Sequence, residues 1–307
     1  MMGQLPRISI GIITYNQERL IGRALDSLLC QKDYIYEIVV CDDCSTDNNW
    51  SVISEYASKY PDLIKAVRNE TNLYIWKNQH KVMNLLTGDL LKLMAGDDTV
   101  EPDLCRKVVE FVQDSKIDYT KGKFCIYLDW QYQFPDGRKQ VNSNYLVTSG
   151  HSMLSLKLRT YIWNRTSFES RELQQTIKEA RSGIGIHADF AWEMQTQANS
   201  EINYYIPYVG STYFCQIGVS KTTPKEKEVK SFVMAMDDVA LYFEPKSKDY
   251  YYTKYLAART LFGLQKSFRA YLDMVKYNIL SYDRDLPAKK HCFRQFIGFT
   301  KMLLLHK

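Results

Sequence analysis

Residues 90–103 read LLKLMAGDDTVEPD, a short apolar run that ends at Gly96 and is followed at once by Asp97 and Asp98. The apolar run is typical of a buried strand. Adjacent carboxylates repel each other and are rarely buried without a partner. A lone GDD is most simply a solvated turn, so the role of this one depends on the segments around it.

Strand and helix patterns alternate through the first 130 residues. Strand-like apolar runs cover residues 8–13, 36–41, 62–68, 89–95 and 123–130, and apolar residues recur at helical spacing in 18–31, 45–60, 78–86 and 101–113. Thr99 is the expected N-cap of the last of these helices, with Pro102 in its first turn. This rhythm predicts an α/β fold with a mostly parallel sheet and helices on both faces.

Polar side chains follow three of the predicted strands at the point where each strand ends. They are residues 14–16 (TYN), the pair Asp42 and Asp43, and residues 96–98 (GDD). Ligands of open α/β sheets bind beyond the carboxyl ends of the strands. If the strands are parallel, the sequence predicts a crevice along one edge that is lined by four carboxylates, hydroxyls and an amide.

The residue types in this crevice exclude several kinds of site. Carboxylates without histidines suit Mg²⁺ or Mn²⁺ better than zinc. The sequence has neither a G-x-x-x-x-G-K-[ST] loop nor a G-x-G-x-x-G after the first strand, which argues against P-loop and dinucleotide-binding domains. Cys41 and Cys44 form a CxxC without a second cysteine or histidine pair to complete a zinc site, and seven scattered cysteines favour a reducing cytosol.

The second half of the chain has a less regular pattern. Residues 129–150 are predicted to be loop-like, with a hairpin turn at FPDGRK, and residues 167–181 and 188–199 have helical spacing. Residues 202–215 are typical of a strand, 220–230 of a charged linker, and the chain after Ser231 of helices. No secretory signal or membrane-spanning segment is expected, because no stretch approaches 18 apolar residues.

The positive charge is concentrated near the C-terminus. Residues 246–307 contain 13 Lys or Arg and 4 Asp or Glu, whereas the rest of the chain contains 27 and 31. Apolar residues at helical spacing in this segment predict either amphipathic helices on an anionic membrane surface, or helices that pack on the body or form a dimer contact. No recognition motif for nucleic acid accompanies the basic residues.

The first 115 residues resemble the family 2 glycosyltransferases, which have the Rossmann-like GT-A fold. The resemblance is carried by residues 8–31, by YEIVVCDDCSTDNN from residue 36, and by residues 77–103. It implies a nucleotide-diphospho-sugar donor and an Mn²⁺ or Mg²⁺ ion. It also implies a role for each strand end: Thr14, Tyr15 and Asn16 border the nucleotide, Asp43 contacts the base, Asp42 supports that strand end, Asp97 lies near the ribose and Asp98 ligates the metal.

Some positions depart from the family pattern. Ala95 stands where many members have a further aspartate, and Tyr74 stands where many have the glycine of an Asn-x-Gly turn. Lys77 and Asn78 remain as candidate contacts of the diphosphate or the sugar, although Lys77 is equally compatible with a solvated helix residue. Cys215 and Ile217 occupy the Arg and His positions of a Tyr-Arg-x-His segment, so a cationic contribution to the leaving group is either missing or comes from elsewhere.

The resemblance also assigns a general base in the second half. The segment GIGIHADFAWEMQTQAN from residue 183 matches the family segment that opens a helix with an acidic residue, which here is Asp189. The alternative is a first-turn aspartate that the helix dipole stabilises. Glu193 is the reserve candidate, and His187 is expected to be a neighbour of the site rather than a ligand.

These observations predict a GT-A domain over residues 1–225, with a nucleotide-sugar-binding half (1–115) and an acceptor half (116–225), followed by a basic helical region (226–307). The implied activity is metal-dependent, inverting transfer from a UDP-sugar to a glycan or lipid-linked acceptor in bacterial surface polysaccharide synthesis. It would take place in the cytoplasm, at the inner face of the membrane. Two alternatives stay open: a non-catalytic nucleotide-sugar-binding or assembly protein on the same fold, and a two-metal phosphoesterase.

Overall fold

Apolar residues on both faces of the first strand indicate that it lies in the interior of the sheet. The structure, a computed structural model, describes residues 5–143, 153–157, 166–179, 184–215, 217 and 224–282. Ile8, Ile10 and Ile12 pack into the core on one face of the sheet, and Ile13 packs against the core on the other. Burial on both faces is typical of a central parallel strand.

The first half of the chain alternates strands and helices. The elements are β1 (Ile8–Thr14), α1 (Ile21–Leu29), a 3₁₀ turn (Lys32–Tyr34), β2 (Glu37–Asp42), α2 (Asn49–Lys59), β3 (Ile64–Arg68), α3 (Tyr74–Leu85), β4 (Leu90–Ala95), β5 (Thr99–Val100) and α4 (Leu104–Asp114). β1 pairs in parallel with β2 and β4, and β3 pairs in parallel with β2. The predicted parallel arrangement is confirmed for these four strands.

The second half extends this sheet and then becomes helical. The elements are β6 (Phe124–Gln133), β7 (Lys139–Asn142), β8 (Ser167–Ser170), α5 (Arg171–Gln174), α6 (Ala188–Asn199), β9 (Ile202–Phe214), α7 (Lys225–Val239), a 3₁₀ turn (Ala240–Tyr242), α8 (Lys248–Gln265) and α9 (Phe268–Leu280). The strand order is β3-β2-β1-β4-β8-β6-β9-β5, with β7 at the side of β6. β8 is antiparallel to both β4 and β6, whereas β9 is parallel to β6.

Helices cover both faces of the sheet, as predicted. One core joins β1, β2 and β4 to α1, α2 and α4, and a second joins β2 and β4 to α3 and α6. A third core joins α6 to the C-terminal helices, with Phe190 and Met194 packed among residues such as Met236 and Leu256. The fold prediction of an α/β sheet followed by a helical segment is therefore confirmed, and α7–α9 pack on the body through α6.

Three local predictions are wrong. Residues 167–170 form strand β8 rather than the start of a helix, because they pair with β4 and β6. Thr99 is not an N-cap: Thr99 and Val100 pair with β9, and α4 begins at Leu104. Residues 131–133 and 139–142 are strands rather than loop, although the predicted turn between them is confirmed by the hydrogen bond from Gly137 N to Phe134 O.

One further boundary differs from the prediction, and other predictions fall on residues that the structure does not describe. α7 begins at Lys225, within the predicted linker, because Pro224 precedes it and Glu226 and Glu228 lie in its first turn, where the helix dipole favours acids. Residues 144–150, 180–181, 183, 220–223 and 283–307, on which parts of the loop, helix and linker predictions fall, lie outside the described residues. Within the described part of the chain, no helix is both long and apolar enough to cross a bilayer.

Candidate functional site

The register of the central strands brings the three polar strand ends to one edge of the sheet. Thr14 lies opposite Asp42 on the parallel neighbour β2, and Ile13 lies opposite Ala95 on β4. The next residues along each strand, 15–16, Asp43 and 96–98, therefore leave the sheet on the same side. The prediction that these strand ends share one edge of the sheet is confirmed.

Asp42 supports this edge of the sheet from inside the protein. Its side chain is fully buried; Oδ1 accepts a hydrogen bond from Asn49 Nδ2 at 2.6 Å and Oδ2 accepts one from Ser45 N at 3.1 Å. Arg68 Nε lies 3.4 Å from Oδ2. Because both carboxylate oxygens are engaged below the surface, this geometry favours a supporting role for Asp42 over contact with a ligand.

Asp43 belongs to a buried network of polar side chains. Its Oδ1 accepts hydrogen bonds from Asn69 Nδ2 and Leu73 N, both at 2.7 Å. Asn69 Nδ2 also lies 2.9 Å from Asn78 Oδ1, and Lys81 Nζ donates to Asn69 Oδ1 at 2.7 Å. Burial raises the pKa of Asp43, and the hydrogen bonds from Leu73 and Asn69 oppose that shift. The network holds Asp43 and Asn78, both predicted site residues, in fixed relative positions.

The loop after β1 is fastened to the loop after β2. Asn16 N donates to Ser45 Oγ at 2.9 Å, and Asn16 Oδ1 accepts from Thr46 N at 2.8 Å. Asn16 has φ = 53°, a left-handed conformation that asparagine tolerates better than most residues. Tyr15 beside it is 37% exposed, so its ring lies at the rim of the edge.

Gly96 allows the GDD turn to approach β1 closely. A Cβ at this position would lie 2.7 Å from Gln17 Oε1 and 2.9 Å from Thr14 Oγ1, closer than side-chain carbons pack. Thr14 Oγ1 and Gln17 Oε1 are themselves joined by a 2.8 Å hydrogen bond. A glycine before the two aspartates is therefore a packing requirement of this turn.

Asp97 and Asp98 are held between α1 and the end of β9. Arg23 Nη2 donates to the carbonyl oxygen of Asp97 at 2.6 Å, and its guanidinium lies 3.6 Å from the centre of the Phe214 ring. Phe214 N lies 3.4 Å from Asp98 Oδ1. Burial lowers the pKa of Arg23, while the charges of Asp98 and Asp97 oppose that shift. Arg23 thus supplies a positive charge beside Asp97. Cys215 and Ile217, which stand at the family's arginine and histidine positions, supply none.

The comparison with protein families assigns this part of the chain. The model of the family described as "Glycosyl transferase family 2" matches residues 9–128, which include the three polar strand ends at residues 14–16, 42–43 and 96–98. Residues 9–128 form a family 2 glycosyltransferase domain. The predicted family resemblance is confirmed.

Relatives of known sequence match a little over a third of the chain. EpsE of Bacillus subtilis, provisionally named as a glycosyltransferase, is 32% identical over 112 residues, which are 36% of this chain and 40% of EpsE. The poly(ribitol-phosphate) beta-glucosyltransferase of Bacillus spizizenii is 29% identical over 119 residues, 38% of this chain and 19% of that enzyme. The chain thus spans less than half the length of these relatives.

Solved structures resemble more of the chain. S. aureus TarS 1–349 in complex with UDP-GlcNAc has a TM-score of 0.58 at 16% identity, covering 89% of this chain and 80% of that one. The mannosyltransferase PcManGT from Pyrobaculum calidifontis, in complex with GDP-Man and Mn²⁺, has a TM-score of 0.56 at 16% identity, covering 99% and 88%. At these identities the likeness establishes the GT-A fold.

The donor atoms of the family 2 domain fit a hard divalent cation. Among the described residues, no three His, Cys, Asp or Glu side chains gather into a metal cluster. Asp97 and Asp98 supply carboxylates at the strand edge, and Mg²⁺ is commonly bound by one or two carboxylates together with substrate phosphates. The residues present therefore suit an ion that completes its coordination with a diphosphate.

The remaining candidates lie on α3 and α6. Lys77 is exposed in the first turn of α3, and Asp189 is exposed in the first turn of α6, where its Oδ1 accepts from Phe190 N at 2.7 Å. The rings of Trp76 and Trp192, 5.9 Å apart, join the two helices. His187 Nδ1 lies 3.0 Å from Ser231 Oγ on α7, so its ring contacts the C-terminal helices.

A buried carboxylate fixes α6 to the sheet. Glu169 of β8 accepts hydrogen bonds on Oε1 from Trp192 Nε1 at 2.8 Å and from Thr196 Oγ1 at 3.0 Å. Burial raises the pKa of Glu169 to about 7. The first turn of α6, with Asp189, is therefore positioned from within the protein and not only by its own loop.

Several supporting residues of the site are absent from the sequence predictions. Asn69 comes directly after β3, so the argument applied to three strand ends would have found it at the fourth. Asn49 and Arg23 lie on helices; Asn49 contacts Asp42, seven positions before it, and Arg23 contacts Asp97, 74 positions after it. No sequence pattern indicates those pairs.

Proposed function

We propose that this protein is an inverting glycosyltransferase that moves a sugar from a nucleotide-diphospho-sugar to a glycan or lipid-linked acceptor in the synthesis of a bacterial surface polysaccharide. The observation that carries the proposal is the shared strand edge of the family 2 domain, where Thr14 lies opposite Asp42 and Ile13 lies opposite Ala95. A UDP-sugar is the proposed donor, supported by the TarS complex with UDP-GlcNAc, whose fold this chain shares.

Each residue of the edge has a proposed part in holding the donor. Asp43, fixed by Asn69, accepts a hydrogen bond from the base, while Asp97 lies near the ribose. Residues 14–16 border the nucleotide, and Lys77 and Asn78 contact the diphosphate or the sugar. Asp42, fully buried, supports the strand end.

Asp98 is the proposed ligand of a Mn²⁺ or Mg²⁺ ion. Such an ion neutralises the charge that develops on a departing diphosphate. Arg23, whose guanidinium donates to the carbonyl oxygen of Asp97, adds a fixed positive charge close to the same turn. The PcManGT complex with Mn²⁺ supports metal use on this fold.

The proposed reaction is a single displacement at the anomeric carbon. The acceptor hydroxyl oxygen forms a bond to that carbon while the bond from the carbon to the diphosphate oxygen breaks, which inverts the configuration. Asp189 accepts the hydroxyl proton as general base, and Glu193 is the reserve candidate. A lipid-linked acceptor would place this reaction at the cytoplasmic face of the membrane.

The proposal is tested by screening nucleotide-sugars for transfer and donor hydrolysis by mass spectrometry. D98N and D189N should each reduce turnover at least a hundredfold, on the scale of a lost base or charge-stabilising group, without changing the unfolding midpoint. D62N is the matched control, because Asp62 is exposed before β3, at the opposite edge of the sheet. Near-normal turnover of both variants would contradict the assigned residues.

A second candidate function is the binding of a nucleotide-sugar at the same site without transfer or hydrolysis of the sugar. Ala95, and the Cys215 and Ile217 positions that lack the family's arginine and histidine, favour a nucleotide-sugar-binding protein that does not turn over its ligand. Calorimetry with UDP, with and without Mn²⁺, separates the two functions. Binding without hydrolysis or transfer of any donor would support the binding protein.

A further inference from the structure

The outer face of α9 exposes large apolar side chains. α9 packs on α8 through Ala270 and Met274, which are buried in the C-terminal core. On the opposite side Phe268 is 69% exposed, Leu272 49% and Ile279 69%. At about 100° per residue, these three side chains fall within roughly 40° of one another around the helix axis. They form a continuous apolar strip rather than scattered exposed residues.

Basic side chains flank this strip. Arg269 and Lys276 are exposed on α9, and helical geometry places them next to the strip, about 40–60° beyond Leu272. Lys266, which precedes the helix, is exposed as well, whereas the acid of the helix, Asp273, is half-buried. The outer face of α9, defined as Phe268, Arg269, Leu272, Lys276 and Ile279, is therefore apolar and positively charged at once.

This combination of residues restricts what can cover the face. A second copy of α9 would bring Arg269 and Lys276 against like charges. Residues 283–307 of the chain contain six Lys or Arg and two Asp or Glu, so that segment would also add positive charge. An anionic bilayer accepts apolar side chains at the level of its headgroups and attracts basic side chains around them.

We propose that the outer face of α9 binds an anionic lipid bilayer, with the helix lying in the plane of the interface. Phe268, Leu272 and Ile279 enter the headgroup and upper acyl region, and Arg269, Lys276 and Lys266 stay at the level of the lipid phosphates. Binding does not depend on the glycosyltransferase activity. It rests on the proposed function only in that a lipid-linked acceptor would then lie at the same surface.

The proposal is tested with the full chain and vesicles. Co-sedimentation is measured with vesicles of phosphatidylcholine alone and of phosphatidylcholine with about 30% phosphatidylglycerol, at low and high salt. The wild-type protein should bind the anionic vesicles at least tenfold more tightly than the neutral ones, and salt should weaken that binding. The double variant L272E/I279E should lose at least tenfold in affinity, because it replaces apolar anchors by acids that the bilayer repels.

Matched controls separate this face from general effects. V141E changes a side chain that is 57% exposed on β7 and should leave vesicle binding unchanged. Unfolding midpoints report whether the variants keep the fold. R269Q/K276Q should weaken binding to anionic vesicles only, whereas K227Q, an exposed lysine of α7, should not.

Two results would overturn the proposal. Unchanged vesicle binding by L272E/I279E would mean that another surface carries any membrane affinity. A shift from dimer to monomer in that variant, with no vesicle binding by the wild type, would make the face a contact between copies of the chain. Because neither readout uses a donor sugar, failure here leaves the transfer assay unaffected, and the reverse also holds.

Discussion

Glu169 Oε1 accepts a hydrogen bond from Trp192 Nε1 at 2.8 Å, and this contact ties β8 to the helix that presents Asp189. The carboxyl group is buried, and burial raises its pKa from 4.5 to about 7. Below pH 4.5 the group carries a proton in both the folded and the unfolded chain. Between pH 4.5 and 7 the folded state keeps the proton that the unfolded state loses.

The free energy of unfolding should therefore fall as the pH rises from 4.5 to 7, with a contribution from Glu169 of up to about 3 kcal/mol. E169Q keeps the carbonyl acceptor for Trp192 but cannot titrate, so its stability should fall less over this range. Urea unfolding at pH 5 and pH 7.5 measures the difference. E172Q, at an exposed glutamate of α5, should behave like the wild type. If the free energy of unfolding changed by the same amount between these pH values in the wild type and in E169Q, the assignment of this titration to Glu169 would be wrong.

G96A should weaken both the fold and nucleotide binding. The added Cβ would lie 2.7 Å from Gln17 Oε1 and 2.9 Å from Thr14 Oγ1, so the Asp97–Asp98 turn must move. Overpacking of this kind costs about 1–3 kcal/mol. The control is G263A in α8, where the new Cβ meets no atom within 4 Å and helix propensity should add about 0.5–1 kcal/mol. Thermal unfolding and UDP calorimetry measure both effects, and equal UDP affinity in G96A and wild type would argue against the placement of this turn.

N69A should reduce the affinity for UDP about tenfold, which corresponds to the loss of about 1.4 kcal/mol from one hydrogen bond to a charged group. Asn69 does not need to touch the nucleotide for this effect, because it holds Asp43 Oδ1 at 2.7 Å. K81M, which removes the lysine behind Asn69, should have a smaller effect in the same direction. N278A on the remote helix α9 serves as the control. Unchanged UDP binding by N69A would argue against a contact between Asp43 and the base.

Y74G should be more stable than Y74A by about 1 kcal/mol, the reverse of the usual order in a helix. Tyr74 has φ = 64°, which favours glycine, and its ring is 75% exposed, so truncation removes little packing. The comparison of two variants cancels the loss of the ring. Urea unfolding of Y74A and Y74G measures the difference, and a more stable Y74A would mean that α3 begins differently.

The sequence predicts the parts of this fold that depend on local patterns. The central strands, α6 and the shared edge can be derived from apolar periodicity and from the rule for parallel strand ends. Tyr74 also illustrates a position where the family pattern anticipates the backbone, because a glycine is common there and the conformation is left-handed. The match to family 2 motifs then predicts roles for individual residues, which periodicity alone does not.

The failures arise where distant residues decide the structure. Residues 167–170 continue the helical spacing of residues 171–181, yet β4 and β6 on either side provide hydrogen bonds that make them a strand. Thr99 likewise forms a strand, rather than a helix N-cap, because it pairs with β9. Arg23 looks like an ordinary helix residue, and only its contact with Phe214, 191 positions away, reveals its place beside Asp97.

Between β4 and β8 the strand pairing becomes antiparallel and much shorter. Only Leu90 and Leu91 pair with β8, whereas six residues of β1 pair with each of its neighbours. Side chains reinforce this narrow join: Arg171 donates to the carbonyl oxygens of Leu86 and Gly88, and Gln174 Nε2 donates to Asn84 Oδ1 at 2.9 Å. Recombination at such a join would exchange one half of the protein while leaving the parallel strands intact. A chimera that kept Arg171 and Gln174 would combine the strand edge of this chain with the second half of a related protein.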